Sequence, residues 1–194
     1  KFKSKIDLVK IDFSTLLNES NLKKITKKKL KNIDGIVSLT GYLNLASYHR
    51  FKLSEFNKHI NINYLNTQLI IRYILKRMIK KKWGRILVSS SIGTKFGGAE
   101  NSFLYSLSKH MNEFFPTVFK KLANKNIFYN CIQIGLTNTK MNYVNKNKNI
   151  KKRTSLVPVR RMANTKEIAE HIYHLASEKN TYITLQKSVI SGGE

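Results

Sequence analysis

The chain has 194 residues, 41% of them hydrophobic and 10% aromatic, enough to bury one sizeable core and to point to a single domain. Thirty-six Lys and Arg against eleven Asp and Glu give a net charge of +25, but the excess is spread over nearly every polar stretch and no RNA-binding or zinc-finger signature accompanies it, so a specific nucleic-acid partner is not expected. The single cysteine, Cys131, excludes an internal disulfide and reads as a small buried hydrophobe, and the lack of any apolar run of ~18 residues excludes a membrane-spanning helix and points to the cytoplasm.

Short apolar runs alternate with longer amphipathic ones, which predicts βαβ units on a parallel sheet and an α/β fold. Ile6 to Phe13 reads as a strand, Asn21 to Leu30 as a polar helix and Ile36 to Leu39 as a short strand after Asp34-Gly35. A long helix begins at Ser54; Ile60, Tyr64, Leu65, Leu69, Ile70, Ile74 and Met78 form its apolar face, and it ends in the Lys80 to Lys82 run. Arg85 to Ser89 reads as a buried strand, followed by a polar loop with Gly93, Gly97 and Gly98. A helix from about Ser102 to Ala123 has Pro116 inside it, where proline should bend the helix or mark a wrong boundary. The strand Ile127 to Ile134, a long basic loop over about Asn138 to Asn164, a helix from Thr165 to Ala176 with Thr165 as N-cap, and a strand near Lys187 to Ile190 complete the order.

Tyr105 and Lys109 stand four residues apart, so on a helix they share a face. A fixed ammonium beside a phenol should lower its pKa from ~10 toward neutrality, giving a group able to exchange a proton near pH 7. Gly84 to Ser91 delivers three serines to the C-terminal edge of a strand, where ligands bind in open α/β sheets, and a hydroxyl there can support charge on a carbonyl oxygen. The five histidines, His49, His59, His110, His171 and His174, lack metal-ligand spacing and read as surface or helix-face residues, so no metal site is expected.

Together these residues resemble the short-chain dehydrogenase/reductase family, in order and over nearly the whole chain. That resemblance implies a doubly wound, Rossmann-like parallel sheet and an NAD(P)-dependent enzyme that moves hydride between nicotinamide and a carbonyl or alcohol. It implies a catalytic tetrad of Asn63, Ser91, Tyr105 and Lys109, with Asn63 on a locally opened helix that holds a relay water. Ser91 lies fourteen residues before Tyr105, one more than the family's usual spacing, so Ser90 and Ser91 are both candidates, and strand alignment favours Ser91. As cofactor contacts it implies Asp12 near the adenine, Gly41 in the turn Ser38-Leu39-Thr40-Gly41, Tyr105 and Lys109 at the ribose, and Gly135 and Thr139 after the strand ending at Ile134.

The family's Gly-rich turn does not occur before Asp12, so the chain is expected to lack the first two strands, leaving Ile6 to Phe13 separated from Ile36 to Leu39 by a gap about two strands wide. Arg160 to Ala169, Leu175 to Ser177, Tyr182 to Thr184 and Gly192-Gly193 resemble the family's C-terminal stretch, and within the family the Met78 to Ser91 stretch and this Arg-to-Gly-Gly region look most like 3-oxoacyl-acyl-carrier-protein reductases, with NADP favoured over NAD. A basic surface suits an acidic carrier protein, and a homodimer or homotetramer is expected. The alternatives are a dehydrogenase of sugar or surface-polysaccharide synthesis and a degenerate, non-catalytic family member.

Overall fold

A computed structural model describes residues 8–28, 32–143 and 149–194. Four parallel strands, β1 (Gly35–Ser38), β2 (Gly84–Ser91), β3 (Ile127–Ile134) and β4 (Lys187–Ile190), pair in chain order. Gly35 lies opposite Arg85, Gly84 opposite Ile127 and Cys131 opposite Lys187. Parallel neighbours need crossover connections, and helices supply them. They are α2 (Leu53–Ile60) and α3 (Asn66–Lys81) between β1 and β2, α4 (Phe103–His110) and α5 (Val118–Leu122) between β2 and β3, and α6 (Ile150–Ser155) and α7 (Thr165–Ala176) between β3 and β4. A further helix, α1 (Glu19–Lys28), precedes β1.

The pleat sends successive side chains to opposite faces, so each central strand feeds two cores. Ile86 and Val88 of β2, with Ile127, Tyr129 and Cys131 of β3, pack against Ile70, Ile74 and Met78 of α3 and Phe119 of α5. Leu87 and Ile132 point the other way, onto Ile168 and Leu175 of α7. Helices therefore cover both faces, and β2 and β3 are buried almost throughout, as the doubly wound reading expects. Gly84 is dictated by packing, because a Cβ there would stand 2.7 Å from Met78 Sδ at the end of α3.

Several expectations need correction. Ile6 and Asp7 lie outside the described residues, and 8–13 form no strand. Among the described residues no strand lies beside 8–13 to pair with it, and just past it the buried Asn66 side chain of α3 accepts from Leu17 N at 2.9 Å and donates to Phe13 O and Thr15 O at 3.1 and 2.8 Å. Of the segment read as a strand only Phe13 O is bonded in this way, while Ile11 and Phe13 pack at the rim of the larger core. The expected gap between two strands thus does not arise; among the described residues no strand pairs with the outer edge of β1, where Val37 is 40% exposed.

The helix expected over Ser102 to Ala123 is two helices. After His110 the chain makes one 3-10 turn, Met111–Glu113, turns extended at Phe114 and resumes at Val118, so Pro116 sits in the break. The basic loop carries α6 and a 3-10 turn at Lys140–Tyr143, short elements without apolar periodicity. The N-cap of α7 is Asn164, not Thr165, and it forms a capping box with Glu167.

Candidate active site

The C-terminal ends of the strands form one crest. Three consecutive serines end β2, and the pleat sends them to different partners. Ser89 Oγ accepts from Lys109 Nζ at 2.9 Å, Ser90 Oγ donates to Glu113 Oε1 at 2.5 Å, and the Ser91 hydroxyl sits beside the Tyr105 phenol, where it favours the ionised form. Of the two serine candidates, Ser91 is the one that reaches the phenol.

Tyr105 and Lys109 sit one turn apart on α4. Lys109 is 3% exposed; besides Ser89 its ammonium donates to Thr40 O at 3.0 Å, in the turn after β1, which leaves one N–H for a ligand. Burial pushes Lys109 down to about 8. The lysine does not pull the tyrosine down, contrary to the expectation from their spacing. Burial raises Tyr105 above its ordinary value and the Ser91 hydroxyl offsets this only in part, because the ammonium is turned to Thr40 and Ser89.

Asn63 lies on a π-turn, Asn61–Leu65, between α2 and α3, where Asn66 N bonds to Asn61 O, five residues back. This is the local opening expected of that helix, and π-turns of this kind recur at functional sites. The buried Asn63 amide accepts from Tyr42 N at 2.6 Å and donates to Tyr42 O at 3.0 Å and Ser108 Oγ at 2.8 Å, tying the turn after β1 to α4. Its main-chain oxygen accepts from Asn112 Nδ2 at 2.9 Å.

The expected cofactor residues divide. Gly41 follows Thr40 directly, and a Cβ there would stand 3.0 Å from Met141 Cε, so the segment after β3 that begins with Thr139 folds back over the segment after β1. Gly135 is explained by close packing, since a Cβ would lie 2.5 Å from Ser191 Cα beyond β4. Asp12 is exposed before α1, its carboxylate accepting from Ser14 N at 2.8 Å, and none of its contacts among the described residues reaches the Ser91–Tyr105–Lys109 group. The crest therefore fits the ribose and nicotinamide end of a dinucleotide, with the spare Lys109 N–H and the Tyr105 hydroxyl as donors. No glycine-rich strand-to-helix turn for a pyrophosphate occurs among the described residues.

Sequence reasoning missed Ser89, Thr40, Asn112 and Glu113. Ser89 was findable by period two from Ser91, and Asn112 and Glu113 by helical spacing from Lys109. Thr40 contributes a main-chain oxygen and leaves no signal in side-chain identity. His59 also departs from the surface reading: it is fully buried, with Nδ1 on Glu55 O at 2.7 Å and Nε2 accepting from Asn44 N at 3.2 Å.

A parallel sheet covered on both faces, with a serine, a tyrosine and a lysine converging at its C-terminal crest, defines a Rossmann-type oxidoreductase. All of residues 1–194 match the family described as enoyl-(acyl carrier protein) reductase. The chain is 29% identical over 183 residues to the 3-oxoacyl-acyl-carrier-protein reductase FabG of Aquifex aeolicus, covering 92% of this chain and 73% of that one. It is 32% identical to the enzyme of the same name from Buchnera aphidicola of Schizaphis graminum, covering 89% and 70%. Among solved structures, ElxO with NADP bound superposes with a TM-score of 0.81 at 29% identity, over 94% of this chain and 75% of that one. The chain belongs to the short-chain dehydrogenase/reductase family, whose members are NAD(P)-dependent oxidoreductases.

Proposed function

We propose that this chain reduces the ketone of a 3-oxoacyl group carried as a thioester, with NADPH as reductant. The observation that carries the reading is the Ser91 hydroxyl beside the Tyr105 phenol, with buried Lys109 one helical turn away on the same helix. The substrate class rests on the names of the relatives, and NADPH on the NADP-bound ElxO. A net charge of +25 suits an acidic carrier protein, by steering more than by final affinity.

Hydride is what the bound cofactor supplies. The chain's own groups do the rest. The Ser91 hydroxyl hydrogen-bonds the ketone oxygen and orients it. Tyr105, a phenol that holds its proton at neutral pH, gives that proton to the ketone oxygen as charge develops there. Lys109 holds the ribose with its remaining N–H and places a positive charge near the phenolate that forms. Asn63 keeps the turn after β1 in register with α4 through Tyr42 and Ser108, and Thr139 would contact the cofactor, as the family resemblance implies. Two further strands with the glycine-rich turn would pair on the open edge of β1, completing one domain.

The test is NADPH oxidation by the enzyme expressed from its full reading frame, with a short 3-oxoacyl thioester as substrate. Tyr105→Phe should lower turnover by at least ~10²-fold with cofactor affinity little changed. A Tyr-to-Phe variant of ElxO has been solved with NADPH bound, which supports the second expectation. Near wild-type turnover in Tyr105→Phe would refute the mechanism.

A further inference from the structure

Outside the tetrad the chain holds a second convergence of polar groups. Glu113, in the 3-10 turn after α4, has a side chain only 7% exposed. Its Oε1 accepts from Ser90 Oγ at 2.5 Å, Thr94 Oγ1 at 2.6 Å and Gln133 Nε2 at 3.1 Å. Its Oε2 faces Lys187 Nζ of β4 at 2.9 Å and His110 Nδ1 at 3.3 Å. A carboxylate in a region this buried is costly unless saturated with donors, and this one is.

The donors on Oε1 bracket Ser91. Ser90 precedes it on β2, and Thr94 lies in the 3-10 turn that follows, Ile92–Phe96. Thr94 Oγ1 also stands 2.8 Å from Ser91 O, and Gln133 Nε2 reaches Thr94 Oγ1 at 2.7 Å. A hydroxyl has one proton, and the charged oxygen at 2.6 Å is the stronger acceptor, so Thr94 gives it to Glu113. The strand end and the turn on either side of Ser91 are thus fastened to one carboxylate oxygen. The break at Phe114 and Pro116 has the same logic, because it ends the helical path of α4 just past Glu113.

Resting on the mechanism proposed above, we propose that Glu113 is a positioning residue for Ser91: it fixes the hydroxyl that orients the substrate carbonyl, touching neither substrate nor cofactor. Displacement of an orienting group by about 1 Å can cost up to ~10²-fold in rate, so Glu113→Ala should lower kcat by ~10- to 100-fold. Cofactor affinity should stay within about twofold, since no cofactor contact runs through Ser91.

The experiment is a mutant cycle in the full-length enzyme, reading kcat, substrate KM and NADPH affinity. Its members are Glu113→Ala, the pair Ser90→Ala with Thr94→Val, and all three together. If the carboxylate works through those hydroxyls, the combined variant loses no more than about twofold beyond the worse parent. Glu113→Gln keeps an acceptor oxygen at that position and should return part of the lost turnover, which covers the case in which Glu113→Ala fails to fold. Multiplicative losses, a folded Glu113 variant with wild-type kcat, or a fall in cofactor affinity parallel to kcat would each overturn the proposal. Ser91→Ala and Tyr105→Phe run alongside. Wild-type turnover in those two overturns the mechanism and this inference with it, whereas their inactivity beside a Glu113→Ala variant with wild-type kcat overturns the positioning role alone.

Discussion

Lys109 gives the site its pH dependence. A buried lysine brought down to about 8 from an ordinary 10.5 loses its proton within a working range, and the charge near the phenol goes with it. Reductive kcat/KM should be level up to about pH 7 and fall through about pH 8 as Lys109 loses its proton. A profile still level at pH 10 would contradict this. The same group affects folding with a definite sign: between about 8 and 10.5 the unfolded chain holds a proton that the folded chain does not, so its contribution to stability rises with pH through that window, while the buried Cys131 thiol, pushed up to about 12, works the other way above its ordinary 9. Lys109→Met should remove the rising contribution, which melting temperatures measured between about pH 7.5 and 9 would show. The convergence of Ser91, Tyr105 and Lys109 was legible because four-residue spacing on a helix and a strand ending in hydroxyls constrain geometry strongly. The electrostatic sign at Tyr105 was not legible, because it depends on where the Lys109 ammonium turns, and a main-chain oxygen of Thr40 decides that.

At the scale of elements, β2, β3 and α7 follow the pattern of the chain within a few residues, since each has a long apolar run or a clean helical face. Legibility ends where tertiary context overrides local pattern. The segment 8–13 alternates like a strand, yet among the described residues no strand lies beside it, and the Asn66 amide holds the backbone from Phe13 to Leu17. The path from Ser102 to Ala123 has helical composition, yet Pro116 and the inward turn of Glu113 divide it. Asn66→Ala would strip partners from three backbone groups, at least one of them on the buried Leu17. A cost of about 2–4 kcal/mol follows, lowering the melting temperature by ~5–15 °C and making residues 13–17 more susceptible to limited proteolysis. An unchanged melting temperature would show that the packing of Ile11 and Phe13 alone holds that segment.

For the whole molecule, charge and apolar surface pull in opposite directions. A chain carrying +25 repels its own copies, whereas α2, α4 and α5 and the turns beside them leave large apolar side chains in solvent: Leu53 is 70% exposed, Leu107 43%, Phe114 69% and Val118 48%. Neighbouring positions add Tyr48, 72% exposed, whose ring stands 4.8 Å from that of Phe103. Apolar surface gathered on adjacent elements usually marks an interface, and a symmetric dimer would cover it with the same surface of a second copy. Repulsion between two such chains is long-ranged and screened by salt, with a Debye length of ~10 Å at 0.1 M falling to ~3 Å at 1 M, while apolar contact is short-ranged and not weakened. The full-length protein should therefore sediment as a dimer or tetramer at micromolar concentration and associate more tightly as salt rises from 0.05 to about 0.5 M. Leu107→Glu, placing an unpaired carboxylate in that surface, should shift it toward monomer. A wild-type protein that sediments as a monomer at both salt concentrations would show that these side chains stay in water and that charge wins.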